Sequence, residues 1–158
     1  MRFLITRLGI YLLAVIVCYL LASIIATQSV VSSLAGMGVE VGFSDRMAMT
    51  LKDIAGMTAL FLPMIAFAYL AAFLIAAMLC HWWAPWRTPI YIAAGAAAVI
   101  MIHLTLNLAF NVTPIAVART TGGLLLQGLA GAVGGYLYIL LTPKRALFDR
   151  SAGIQRPG

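Results

Sequence analysis

The residues with the most potential for chemistry are three polar side chains within one apolar segment. His103, Asn107 and Asn111 follow one another at intervals of four residues. Four residues of an α-helix turn through about 400°, so the three side chains lie on one face. An ionisable group inside a membrane is by default a site hypothesis, which makes this stripe a candidate ligand-binding site. The same groups can instead join helices through hydrogen bonds worth about 0.6 kcal/mol each, and the sequence leaves both interpretations open.

Gln127 is the polar side chain closest to this stripe in depth. At ~1.5 Å per helical residue, Asn107 lies about 6 Å, Gln127 about 8 Å and His103 about 12 Å inside the ends of their apolar segments. An unpaired amide or imidazole in hydrocarbon costs several kcal/mol. We therefore expect His103 and Asn107 to face protein or a cavity, and Asn107 to pair with Gln127. The candidate ligand-binding residues are His103, Asn107, Asn111 and Gln127.

The segments that must position these residues make up most of the chain. Hydrophobic residues account for 64% of the sequence, charged residues for 9%, and the mean hydropathy is +1.06, which excludes a soluble globular protein. A helix needs ~20 residues to cross a hydrocarbon core of ~30 Å. We predict an all-α integral membrane protein, a single membrane domain over 1–158, with four transmembrane helices in one antiparallel bundle. The predicted spans are about 8–26, 57–80, 91–110 and 122–141.

The segment 27–56 is the only sizeable part predicted to lie outside the membrane, apart from a tail at 143–158. Glycines between 36 and 42 predict a turn or a short hairpin. Ser44 followed by Asp45 is typical of a helix N-terminus, with Ser44 as the capping residue. The sequence therefore predicts a partly helical 30-residue loop between the first and second spans.

Orientation is predicted by the positive residues in the short loops. Seven lysines and arginines lie on the side of the N-terminus and three on the other side. This bias predicts that both termini, and the tail, are cytoplasmic, and it favours a bacterial inner membrane. Trp82, Trp83, Trp86 and Arg119 flank the spans and are predicted to be membrane-interface anchors.

The fourth span carries a face of glycines that is predicted to pack against another helix. Gly128, Gly131 and Gly135 share this face, and the last two form a GxxxG pair. Between helices in lipid, attraction depends strongly on close backbone approach, which small residues permit. We expect packing within the chain, with the alanine-rich start of the third span offering a smooth surface. A dimer interface is the alternative.

The sequence predicts no enzyme chemistry. The predicted spans contain no carboxylate, and the sequence shows no catalytic Ser/His/Asp set, zinc-ligand spacing or phosphate-binding glycine loop. We predict no catalytic residue, metal or cofactor. The net charge of +6 is scattered between spans, so nucleic acid is excluded as a partner. His81 and His103 fall in opposite halves of the membrane, which prevents them from holding one haem in a single subunit.

Two functions remain open. In the first, the protein is a structural or accessory subunit that acts through helix–helix contacts with itself or with another membrane protein. In the second, it is a small oligomeric transporter, channel, or small-molecule or lipid-binding protein that uses the His103/Asn107/Asn111 stripe. Both predict membrane lipids as partners. A stripe that is buried and fully paired favours the first, and a wet cavity favours the second.

Overall fold

The computed structural model describes residues 2–110 and 120–142, and within these ranges its regular structure is entirely helical. The helices are α1 (Arg2–Gly36), α2 (Phe43–Trp82), α3 (Arg87–Phe110) and α4 (Thr121–Leu141), with a short 3-10 helix at Ala84–Trp86. Each of the four α-helices contains a segment long enough and apolar enough to cross a membrane. The prediction of an all-helical chain with four such helices is confirmed.

Helices α1 and α2 extend well beyond the predicted spans. The prediction of a partly helical 30-residue loop is wrong for its first part, because α1 continues to Gly36 and only residues 37–42 separate the two helices. The helix predicted to start near Ser44 agrees with α2, which begins at Phe43. The extension of α2 is joined to α1: the Tyr19 hydroxyl donates to the Ile54 carbonyl, and the Thr27 hydroxyl, in the extension of α1, donates to Asp53 Oδ2 at 2.8 Å. A fall in hydropathy marks where a membrane ends, whereas a helix can continue wherever a neighbouring helix stabilises it.

The connection between α1 and α2 is a tight turn. Gly38 has φ of +81°, a left-handed conformation that favours glycine. The Gly38 N–H donates to the Ala35 carbonyl at 3.0 Å and the next amide donates to the Leu34 carbonyl at 3.1 Å, the pattern of a Schellman motif. The N-cap of α2 is Gly42, with no side-chain capping bond, so the prediction of Ser44 as the cap is wrong.

Each long helix packs against two others: α1 and α3 both contact α2 and α4. Contacts at one end join the start of α1, the late part of α2, the start of α3 and the end of α4. We call this the aromatic end, because Phe73 lies there in ring contact with Tyr11, Tyr69, Tyr91 and Tyr138 at centroid distances of 4.6–6.5 Å. The 37–42 turn lies beyond the opposite ends of α1 and α2, which we call the turn end.

The closest approach between helices joins α3 to α4 through glycines. A Cβ atom added at Gly95 of α3 would lie 3.1 Å from the Gly131 carbonyl carbon and 3.1 Å from Gly135 Cα. A Cβ at Gly128 would lie 2.9 Å from Ile100 Cδ1. The predicted packing residues Gly128, Gly131 and Gly135 therefore face α3 of the same chain.

Gly134 faces a different pair of helices. A Cβ added there would meet Ala14 and Cys18 of α1 and the Tyr69 hydroxyl of α2. That hydroxyl donates to the Gly131 carbonyl at 2.7 Å. The small residues of α4 are thus enclosed between three helices, and this packing sets the rotation of α4 about its axis.

Candidate functional site

The site begins with two buried polar residues that the packing of α4 brings inside the protein. Helix α4 starts after Thr120, whose side chain accepts a hydrogen bond from the Gly123 N–H at 3.1 Å. With the glycine face against α3, Gln127 is turned inward and is 0% exposed, and His103 of α3 is 4% exposed. The Gln127 side chain lies against the His103 imidazole. Sequence analysis expected His103 to be enclosed, and the structure places Gln127 beside it.

Gln127 also joins α4 to α1. Its Nε2 donates to the Ala22 carbonyl at 3.0 Å. The next residue of α1, Ser23, is 0% exposed. We call Ser23, His103 and Gln127 the polar core, since these buried polar residues belong to α1, α3 and α4. Phe61 of α2 closes the fourth side, with its ring centroid 5.8 Å from that of the imidazole.

Three atoms of the polar core lack a hydrogen-bond partner: Ser23 Oγ, His103 Nε2 and Gln127 Oε1. A buried polar atom left unsatisfied costs about 1–3 kcal/mol. Buried atoms of this kind are commonly satisfied by ordered water, which typically makes about 3 hydrogen bonds. The polar core thus contains three hydrogen-bonding atoms that the described part of the chain does not pair.

Polar contacts continue from the polar core towards the turn end. Thr27 Oγ1 lies 3.1 Å from the Ser23 carbonyl oxygen and 2.8 Å from Asp53 Oδ2, two acceptors that share its one proton. Thr27 is buried, whereas Asp53 is half-buried. A second contact at this level places Tyr19 Oη 3.0 Å from Thr58 Oγ1. The carboxylate nearest to the polar core thus lies towards the turn end.

The structure does not bring the whole predicted stripe together. Asn107 is exposed on the single chain, and the expectation that it pairs with Gln127 is wrong, because the Gln127 amide donates to the Ala22 carbonyl. That Asn107 faces protein stays a prediction, which concerns a second chain. Depth along a helix follows from residue counting, but the direction of a side chain depends on how the helix is rotated against its neighbours. Each four-residue step turns the stripe by about 40°, so burial at His103 does not continue to Asn107. Asn111 lies outside the described residues.

The predicted interface anchors occupy the connection between α2 and α3. Trp82 ends α2, Trp83 follows it and Trp86 lies in the 3-10 helix, and all three are exposed. Exposed indole rings beside a membrane span are typical of the headgroup layer. Arg119, the fourth predicted anchor, falls in the part of the chain that the structure does not describe.

Sequence reasoning missed the contribution of α1. Tyr19, Ser23 and Thr27 recur at intervals of four, the same spacing that drew attention to His103. All three are buried, and each makes or offers a polar contact to another part of the helix assembly. The four-residue spacing was visible in the sequence. Because Thr27 fell in the segment predicted to be a loop, the three residues were not recognised as one face of a helix.

The chemistry available to the polar core is hydrogen bonding. Across residues 2–110 and 120–142, no group of three His, Cys, Asp or Glu side chains is placed to hold a metal ion. The imidazole and the Gln127 amide can donate, accept and orient a neutral molecule. Comparison of the chain with protein-family models, with curated proteins and with solved structures finds no match.

Proposed function

We propose that this chain is an integral membrane protein whose four helices form one antiparallel bundle, with both termini on the cytoplasmic side of a bacterial inner membrane. The order of contacts supports the antiparallel arrangement: Tyr91 near the start of α3 stacks on Tyr138 near the end of α4, while His103 lies against the earlier Gln127. The seven-to-three distribution of positive residues supports the orientation.

Reporter fusions test this topology. A reporter inserted at Gly42 and another placed after Arg150 are expected on opposite sides of the membrane. The first should be active in the periplasm and the second in the cytoplasm. If both reporters were found on the same side of the membrane, either the even number of spans between the N-terminus and Arg150 or the placement of the 37–42 turn would be wrong.

The function that the geometry supports best is that of a structural or accessory subunit, which assembles through helix–helix contacts with itself or with a partner membrane protein and does not act as an enzyme. The observation that carries this proposal is an outer groove of about 510 Å³ between α2 and α3. Alanines from both helices line it, including Ala68, Ala72 and Ala97, with the exposed Phe67 and Met101 beside them.

Small side chains in such a groove let another helix approach closely, which is a main source of attraction between helices in lipid. The glycine face of α4 is not available for this purpose, because it is enclosed against α3. The α2–α3 groove is therefore the surface on which we place the contact with a further transmembrane helix, from a second copy or from a partner.

The test is the mass of the complex purified from native membranes. Ala97→Leu places a larger side chain in the groove at an exposed position and should reduce the mass to that of the single chain. Ala109→Leu makes the same change on an exposed part of α3 outside the groove and should leave the mass unchanged. A wild-type protein with the mass of one chain would contradict assembly, and an Ala97→Leu complex of full mass would contradict the use of this groove.

A second candidate function, that of a small oligomeric transporter, channel or small-molecule-binding protein, is favoured by one specific observation. Three buried atoms of the polar core lack partners, so this part of the site is not fully paired by protein. If these atoms hold water connected to the turn end, the His103 imidazole is part of a hydrated site. If the interior is dry, His103 and Gln127 serve to join helices.

Magnetic resonance of the protein in bilayers, with its histidine and glutamine side chains labelled with 15N, separates the two candidates. His81 is exposed and provides the solvent-accessible reference in the same sample. Water contact at the His103 imidazole supports the second candidate, and its absence contradicts it. His103→Leu gives a further distinction: a joining residue should lose stability and leave assembly intact, whereas a site residue should keep the fold and lose the water signal at Gln127.

A further inference from the structure

The polar core lies between two unlike regions of the helix assembly. Towards the aromatic end, each of the four helices adds a small or apolar side chain that is almost fully buried: Cys18, Ile65, Val99 and Ala130. Beside this layer, the Tyr69 hydroxyl of α2 donates to the Gly131 carbonyl of α4. Closely packed carbon and thiol groups offer water almost no hydrogen bonds. We therefore expect the described residues to close the polar core towards the aromatic end.

Towards the turn end the surroundings of the polar core are polar, and their burial decreases stepwise. Tyr19 and Thr27 of α1 both contact α2, and Ser23 lies between them on the same face of α1. Thr27 Oγ1 lies 2.8 Å from Asp53 Oδ2, and Tyr19 Oη lies 3.0 Å from Thr58 Oγ1. Ser23 and Thr27 are buried, Asp53 is half-buried and Thr58 is exposed. Hydroxyl and carboxylate groups thus lead from the polar core to the protein surface on this side.

Three atoms at the inner end of this row need hydrogen bonds that the described residues do not supply: Ser23 Oγ, His103 Nε2 and Gln127 Oε1. The hydroxyl can donate and accept, the amide oxygen accepts, and the imidazole nitrogen does either according to its tautomer. Water both donates and accepts, so it can satisfy each of them, whereas a buried ion would need an opposite charge. The chemistry of these atoms therefore favours water as their partner.

We propose that water occupies the polar core and exchanges with solvent at the turn end alone, past Thr27 and Asp53. This inference rests on the second candidate function and deepens it. Conduction needs a path that is open at both ends, whereas water here reaches the His103 imidazole from one side. One-sided access favours a small-molecule-binding site over the pore of a channel. In the proposed topology this side is the periplasm.

Magnetic resonance of the protein in bilayers, with 15N-labelled histidine and glutamine side chains, tests the route by magnetisation transfer from water. The wild type should show transfer to His103 and Gln127, with the exposed Gln28 as the solvent reference. Thr27→Val keeps the size of the side chain and replaces the hydroxyl with a methyl group. Transfer to His103 and Gln127 should then be lost, while transfer to Gln28 stays unchanged.

Thr50→Val is the matched control. Thr50 is half-buried in α2, and its hydroxyl donates to the Arg46 carbonyl of the same helix at 2.8 Å. This variant should keep the transfer to His103. Equal loss in both valine variants, or full transfer in Thr27→Val, would overturn the route and leave the second candidate function standing. Absence of transfer to His103 in the wild type would overturn the two together.

Ser23→Ala keeps the result decisive if Thr27→Val does not fold. The Ser23 hydroxyl makes no hydrogen bond to the described residues, so this change breaks none of them. If water holds the hydroxyl, Ser23→Ala should lower the transfer to Gln127 and should not raise the denaturant concentration at which the protein unfolds. If the hydroxyl is dry, its removal should raise that concentration, because an unpaired buried polar group destabilises the fold. A Ser23→Ala variant more stable than the wild type would therefore overturn the proposal.

Discussion

Replacing Gly131 with alanine tests the close packing of α3 and α4 most directly. A Cβ atom at this position would lie 2.8 Å from Val99 Cγ2 and 2.9 Å from the Gly95 carbonyl carbon, whereas ordinary contacts begin at 3.4 Å. The carbonyl of Gly95 belongs to a helix backbone and cannot move alone. We therefore expect α3 and α4 to separate locally by roughly 0.5–1 Å.

The expected loss of stability combines three effects. Overpacking of this kind costs about 1–3 kcal/mol, and weakening the hydrogen bond from Tyr69 to the Gly131 carbonyl costs about 0.5–1.5 kcal/mol. Alanine favours helix over glycine by up to ~1 kcal/mol, which offsets part of this. The net decrease in the free energy of unfolding should be about 0.5–4.5 kcal/mol.

Equilibrium unfolding in mixed detergent and denaturant measures the effect. Gly56→Ala is the matched control, because it makes the same change inside α2 where a Cβ would meet nothing within 4 Å. That variant should be as stable as the wild type or more stable. Gly131→Leu should be worse than Gly131→Ala, while Ile139→Leu, which conserves volume, should change little. If Gly131→Ala unfolds at the same denaturant concentration as Gly56→Ala, the account of the α3–α4 contact is refuted.

Two other substitutions probe single features of the fold by the same unfolding measurement. Tyr69→Phe removes the 2.7 Å hydrogen bond to the Gly131 carbonyl and should lower the free energy of unfolding by about 0.5–1.5 kcal/mol. The control, Tyr136→Phe, changes an exposed ring and should have no effect. Equal stabilities of the two variants would show that the hydrogen bond contributes nothing. Gly38→Ala places a Cβ atom on a residue in the left-handed conformation, with φ of +81°, and should lower the free energy of unfolding by about 1–2 kcal/mol. The control, Gly36→Ala, has no positive φ and should be tolerated. A Gly38→Ala variant as stable as the wild type would contradict the described turn.

The sequence alone was sufficient to predict the helical class and the approximate positions of four helices that are long and apolar enough to cross a membrane. Hydrocarbon thickness and helical rise convert a run of apolar residues into a span without knowledge of its neighbours. The glycine face of α4 was predictable for the same reason, since the positions that share a face follow from helical periodicity. The alanine-rich start of α3 was named as a suitable surface, and Gly95 lies within it.

The lengths of α1 and α2 were decided by contacts between them. Thr27 was predicted to lie in the loop and Asp53 in a helix that starts near Ser44, yet α1 continues past Thr27 and the two side chains are joined by a hydrogen bond. Helix formation outside the membrane depends mainly on packing against a neighbour, which a single chain segment does not specify.

The rotation of helices α3 and α4 about their axes decided which residues form the polar core. Residue counting brought Asn107 and Gln127 to similar depth, but the glycine packing turns Gln127 towards His103 and the Ala22 carbonyl and leaves Asn107 exposed. Depth is a property of one helix and can be counted from its sequence, whereas the facing direction of a side chain is a property of two packed helices. Only the tertiary structure could therefore decide which polar residues meet.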